Sequence, residues 1–142
     1  MMNTHWTLAT ALLALGTFGD NVEAQPPILA VSGMTDAEIA KSAGAPLFDG
    51  MGDYNRKIST ESEGANRYFN QGMVLAFGFN HAESIRSFRA AQRLDPECAM
   101  CFWGEALATG PNINVTSKGK AVMSDADRKS AFAAINRAMA LK

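Results

Sequence analysis

Two cysteines stand three positions apart in the run Cys98-Ala99-Met100-Cys101, directly after Asp95-Pro96-Glu97. A C-x-x-C at the start of a helix places its thiols where the helix dipole and unpaired N–H groups favour a thiolate. The favoured reading is a structural or reversible disulfide, which an oxidising compartment would sustain. Three others stay open: reduced cysteines buried between helices, a soft-metal site, and dithiol redox chemistry. The metal alternative joins Cys98, Met100 and Cys101, assisted by His81, around Cu(I) or Zn(II). Two cysteines fall short of the four ligands of a closed zinc site, and the strand-rich setting of thioredoxin-type dithiols is missing. Covalent haem needs a histidine after the second cysteine, where Phe102 stands. The expectation is therefore no bound metal and no cofactor.

The remaining polar candidates point to binding more than to catalysis. His81 falls in the first turn of a helix, where a histidine usually satisfies a neighbouring backbone group; as a base it would need a partner acid, and Glu83 faces elsewhere. Arg86, Arg89 and Arg93 recur at three- and four-residue steps and line one exposed face. That face is either simply solvated or a clamp for the carboxylate of a peptide, a role suited to the guanidinium fork. In Gly110-Pro111-Asn112-Ile113-Asn114, a helix stop runs into a turn, with Asn112 and Asn114 as further partner-binding candidates. No paired-carboxylate motif, phosphate-binding glycine loop or nucleophile with an identifiable base is present, so no catalytic residue is assigned and a non-enzyme is expected.

These residues sit in a chain of 142, a length that suits one small domain. With 13 Lys+Arg against 14 Asp+Glu it lacks the field of a polyanion binder, so nucleic acid is not expected as a partner. Residues 6–18 form an apolar run too short to span a bilayer, and Val22-Glu23-Ala24 before Gln25-Pro26-Pro27 has the form of a signal-peptidase site. Residues 1–24 are read as a signal peptide, giving a periplasmic or secreted protein with no membrane span after cleavage.

Residues 25–59 form a lead-in with one short helix, opened by the capping box Thr35-x-x-Glu38, and with Leu47, Phe48 and Tyr54 apolar enough to dock. A helical domain is expected over 60–142. Thr60-x-x-Glu63 reads as a second capping box before an amphipathic helix that runs to Gly78. Asn80 caps the next, with Ala82, Ile85, Phe88, Ala91 and Leu94 as its buried stripe, and Asp95-Pro96 stops it. A third helix starts at Cys98 with Phe102, Trp103, Ala106 and Leu107 as its apolar content, Trp103 in the core. After a polar connection, Ser124 with Asp127 opens a fourth, whose Ala131, Ile135 and Ala138 share a face. No useful segment has strand periodicity, so the class is all-α.

Gly72, Ser84, Phe88, Ala91 and Pro96, with Tyr68 near the tryptophan position, match the offsets of the roughly 34-residue tetratricopeptide (TPR) pattern. A second unit follows less regularly: Phe102 and Ala106 match its first half, and Ala131, Ile135 and Ala138 its second once an insertion at 110–123 is allowed. From Leu47-Phe48-Asp49-Gly50 through Gly78-Phe79-Asn80-His81 to Gly110-Pro111-Asn112-Ile113-Asn114 the chain resembles exported bacterial TPR-containing proteins. The resemblance implies antiparallel helix pairs in an α-solenoid of about two repeats and an exported location, but no activity; the expected role, a non-catalytic scaffold binding a protein or peptide on a concave face, follows from the stacking of helix pairs. Its relatives are longer, which implies a fragment of a longer member. The terminal helix would then lack its cap, exposing Ala134 and Met139 for self-association.

Overall fold

The computed structural model describes residues 33–112, 114, 116–117 and 120–142. The expected signal peptide and the first residues of the lead-in lie outside the described residues. Five helices follow in order: α1 (Asp36–Ala43), α2 (Glu63–Phe77), α3 (His81–Leu94), α4 (Ala99–Thr109) and α5 (Asp125–Ala140). The class is all-α. Within the long α4–α5 connection, β1 (Thr116–Ser117) and β2 (Lys120–Ala121) form a two-residue antiparallel ladder, too short to alter the class.

Each helix begins where a short polar side chain takes up a free N–H. Thr35 and Glu38 form the reciprocal capping box of α1, with Thr35 N donating to Glu38 Oε2 at 2.7 Å. Asn80 caps α3 by accepting from Glu83 N, and Ser124 caps α5 by accepting from Asp127 N at 3.0 Å. The start of α2 departs from the expected box at Thr60: Ser62 is the cap, accepting from Ala65 N at 3.2 Å. The Thr60 hydroxyl is committed elsewhere, donating to Asp95 Oδ2 and accepting from Ser62 N at 3.1 Å.

Only residues 78–80 join α2 to α3, so the two pack antiparallel. The turn is a Schellman motif: Asn80 N donates to Leu75 O at 2.9 Å and Phe79 N to Ala76 O at 3.1 Å. Its left-handed position is filled by Phe79, at φ 61°, where glycine is usual. Asp95-Pro96 ends α3 and feeds α4 back across the pair, so that α3 is covered by α2 on one side and α4 on the other.

That double coverage explains where the sequence expectations shift. On α3, Phe88, Ala91 and Leu94 are buried as expected and Ile85 partly so, but Ala82 is exposed, while Ser84, Ser87 and Ala90 are buried. On α4 the inner face is Cys101, Gly104, Glu105, Ala108 and Thr109. Phe102, Trp103 and Ala106 lie half-buried on its flanks and Leu107 is exposed, because only small side chains fit against α3. The core is built from Ile39, Tyr68, Phe69, Met73, Phe88, Ala91 and Leu94 with the two cysteines, and Trp103 packs at its edge. Phe69 meets Phe88 edge to face, with ring centroids 5.7 Å apart.

α5 returns along α4, burying Ala134 and Ala138, with Ala131 and Ile135 half-buried beside them. Arg137 secures its C-terminal end, donating to Glu97 at 3.0 Å and lying 5.8 Å over the Phe102 ring. Met139 is exposed as expected, together with Phe132; Ala134 is 7% exposed, since it lies on the stripe facing α4.

Candidate functional site

Two separate stretches of the lead-in lie against α2, residues 46–48 at Gln71 and residues 55–58 at Asn70 and Asn66, each held by carboxamides of that helix. Gln71 Nε2 donates to Pro46 O at 3.1 Å while its Oε1 accepts from Phe48 N at 2.7 Å, so one amide group reads two backbone groups two residues apart. Asn70 Oδ1 accepts from Arg56 N at 2.8 Å and Asn66 Oδ1 from Ile58 N at 3.0 Å. Gln71 also donates to Ser87 Oγ at 3.0 Å, which ties the same contact to α3.

Upstream, α1 is pinned to this face. Tyr68 has no exposed surface, and its hydroxyl donates to Ala45 O. Burial raises the Tyr68 phenol above its ordinary pKa, opposed by the nearby Arg93 and Arg67 charges. Arg67 grips Asp36 with both terminal nitrogens, Nη2 to Oδ2 at 2.8 Å, and this hydrogen bonding lowers the Asp36 pKa. Of the apolar lead-in residues, Leu47 packs on the core, while Phe48 and Tyr54 are 39% and 41% exposed.

Where the segment meets α2, an open depression of about 1150 Å³ lies beside the α3–α4 turn, bordered by Arg56, Lys57, Glu61, Asp95, Glu97 and Met100. Its lining combines two basic side chains, three acidic ones and Ile58.

Cys98 is the N-cap of α4 and Cys101 its third residue; the sulfurs are bonded, with Cα atoms 5.4 Å apart and neither residue exposed. Cys101 N donates to Cys98 Sγ at 3.1 Å, so the pair caps the helix as well as closing its first turn. Met100 is half-buried beside them. Among the described residues no three of His, Cys, Asp and Glu gather as ligands, and His81 stands apart, its ring 6.4 Å from that of Phe79. Both His81 ring nitrogens are covered and without a hydrogen-bond partner.

The three arginines share an exposed face but go to different partners. Arg86 pairs with Glu83 on its own helix at 2.6 Å; Arg89 bonds Glu105 at 2.7 Å and Ser130 at 3.3 Å; Arg93 donates to Ala43 O at 2.6 Å. Arg89 and Arg93 brace α3 against α4, α5 and α1 while Arg86 stays on α3, and the three do not converge on one point. Glu105, 7% exposed, completes its carboxylate through Gln92 at 2.7 Å. Asn112 and Asn114 form a local turn, Asn114 N donating to Asn112 Oδ1 at 2.8 Å.

Sequence reasoning passed over Asn66, Asn70, Gln71 and Gly104. A trace existed for the first two: asparagine is a weak helix former, and two of them one turn apart inside a helix need a reason from outside it.

No helix among the described residues is long and apolar enough to cross a membrane. No protein-family model, curated protein or solved structure matches this chain.

Proposed function

We propose that the chain is a non-catalytic scaffold of stacked helix pairs, of the TPR kind, that holds a protein or peptide partner in the bacterial envelope. The observation that carries this reading is the seat of Phe88. Its ring lies against Gly72 of the partner helix in its own pair and against Gly104 at the start of the next, so one aromatic locks three successive helices. Stacking of this sort is how helix pairs that cannot bury their own faces gain a shared core. On α4 the residue that meets this ring is Gly104.

The cysteine pair supports an envelope location, since such bonds persist in oxidising compartments. Its burial also favours a staple over the redox and soft-metal alternatives, both of which need a reachable thiolate. Proteolysis-resistant, full-length chain with its disulfide intact is screened against a displayed library of random peptides, with insulin reduction measured in parallel. Saturable micromolar peptide binding without thiol turnover is the expected result. Catalytic insulin reduction with no enriched peptide would replace the scaffold with the redox accessory.

A further inference from the structure

Between the two stretches of the lead-in that α2 holds, the chain projects into solvent. Phe48 N donates to Gln71 Oε1 at 2.7 Å on one side, and Arg56 N to Asn70 Oδ1 at 2.8 Å on the other. In between, Asp49, Gly50, Gly52, Asp53 and Tyr54 are exposed and Met51 is half-buried. Gly50 has φ 71°, and a β-carbon built on it would meet nothing within 4 Å. Among the described residues, neither the Asp49 carboxylate nor the Gly50 N–H enters a hydrogen bond.

An aspartate followed by glycine is the pair in which the backbone most readily attacks its own side chain. Glycine has no β-carbon to shield its nitrogen, and its backbone turns with little resistance. The Gly50 nitrogen adds to Cγ of the protonated Asp49 carboxyl; the N–Cγ bond forms, a Cγ–O bond breaks, and the hydroxyl leaves as water with the amide proton. Water then opens the five-membered succinimide at either carbonyl. Opening at the former main-chain carbonyl leaves Gly50 joined through Cγ, an isoaspartyl link of unchanged mass.

Every other described aspartate lacks one of these conditions. Asp36 opens α1 and is gripped by Arg67, and Asp125 and Asp127 lie in the first turn of α5. Asp95 is 9% exposed and precedes Pro96, whose nitrogen has no proton to lose. Asp53 is exposed like Asp49, but it precedes Tyr54.

We propose that Asp49-Gly50 is a self-modification site, at which the folded chain converts to the isoaspartyl form with water as the only co-reactant. The extra main-chain carbon enters between the two held stretches and lengthens a loop that packs on little. Loop length enters closure entropy only logarithmically, so the denaturation midpoint stays where it was. The surface is what changes: the carboxylate of residue 49 moves onto Cα, beside the exposed Phe48.

The test uses the full, oxidised chain, warmed in neutral buffer, sampled over time and digested with trypsin. The peptide of residues 42–56 carries both Asp49 and Asp53, and electron-transfer fragmentation locates the rearranged link within it. The isomer accumulates at Asp49 at least about tenfold faster than at Asp53, which lacks the glycine. Asp49→Glu, whose extra methylene disfavours the ring, abolishes it and leaves the fold intact. No isomer at Asp49 in the aged chain, while the excised 42–56 peptide forms it, overturns the proposal, because the folded backbone would then hold the carboxyl away from Gly50 N. Equal conversion at the two aspartates overturns it too, and so does a midpoint that falls in step with conversion, which would place Asp49 in the packed structure.

Discussion

Phe88 and Gly104 are fitted to one another: the ring of the first occupies the space that any side chain at the second would need. Gly72 approaches the same ring, and a β-carbon there would lie 2.8 Å from Cε1. In an ordinary helix interior, glycine to alanine is stabilising by about 1 kcal/mol. Here the sign reverses. Gly104→Ala is expected to destabilise by about 1–3 kcal/mol through overpacking, and Phe88→Ala by about 3–5 kcal/mol, both read from chemical denaturation midpoints. A stabilised Gly104→Ala would mean that α4 does not pack on Phe88 as described.

Phe79 gives the opposite case. A non-glycine residue in the left-handed conformation costs roughly 1–2 kcal/mol, and the side chain recovers little, being 60% exposed. Phe79→Gly should therefore raise stability by about 1 kcal/mol, seen as a higher denaturation midpoint with an unchanged slope. An unaltered or lowered midpoint would show that the Phe79 ring makes contacts worth more than the strain.

The buried cysteine pair closes a short loop, for which chain entropy predicts roughly 2 kcal/mol of stabilisation. Loss of the bond in Cys98→Ser/Cys101→Ser should cost about that much and loosen the first turn of α4 most. In the wild type, reduction should be slow under native conditions and fast once denaturant opens the helix, because neither residue is exposed. Alkylation followed by intact mass reads both rates; equal rates would place the sulfurs within reach of solvent thiols.

Docking of α1 is set by protonation. Asp36 is lowered by its hydrogen bonds to Arg67, and Glu38 by the Thr35 backbone and hydroxyl. Groups with lowered folded pKa values add stability above their unfolded pKa and lose it as pH falls through the folded one. The loss from α1 should therefore begin below about pH 4. Tyr68 acts at the other end: its raised pKa holds full stability below about pH 10, lost as pH rises through the folded value. Helix-specific amide exchange against pH shows both limits, and Asp36→Asn should flatten the acid limb alone.

Much of the helical layout is legible because local chemistry sets it. Thr35, Asn80 and Ser124 each announce a helix through a cap within three residues, and Asp95-Pro96 and Gly110-Pro111 end two more. Long-range competition is less legible. Thr60 reads as a cap, yet Asp95, 35 positions away, takes its hydroxyl and leaves the cap to Ser62. The buried face of α4 was likewise hidden, since a helix flanked on both sides selects small residues, and apolar periodicity weights large ones. The α2 carboxamides carry no apolar pattern at all, and their partners lie in a segment whose own sequence looks like a loop.

A scaffold of the proposed kind receives polypeptide without chemistry of its own. The decisive measurement is a titration of the full, oxidised chain with library-selected peptides, followed by backbone amide chemical shifts. Saturable shifts confined to one face of the helices, with the disulfide unchanged, are the expected result. Shifts confined to α4 around Cys98 and Cys101, with reduction of the bond as peptide is added, would contradict it.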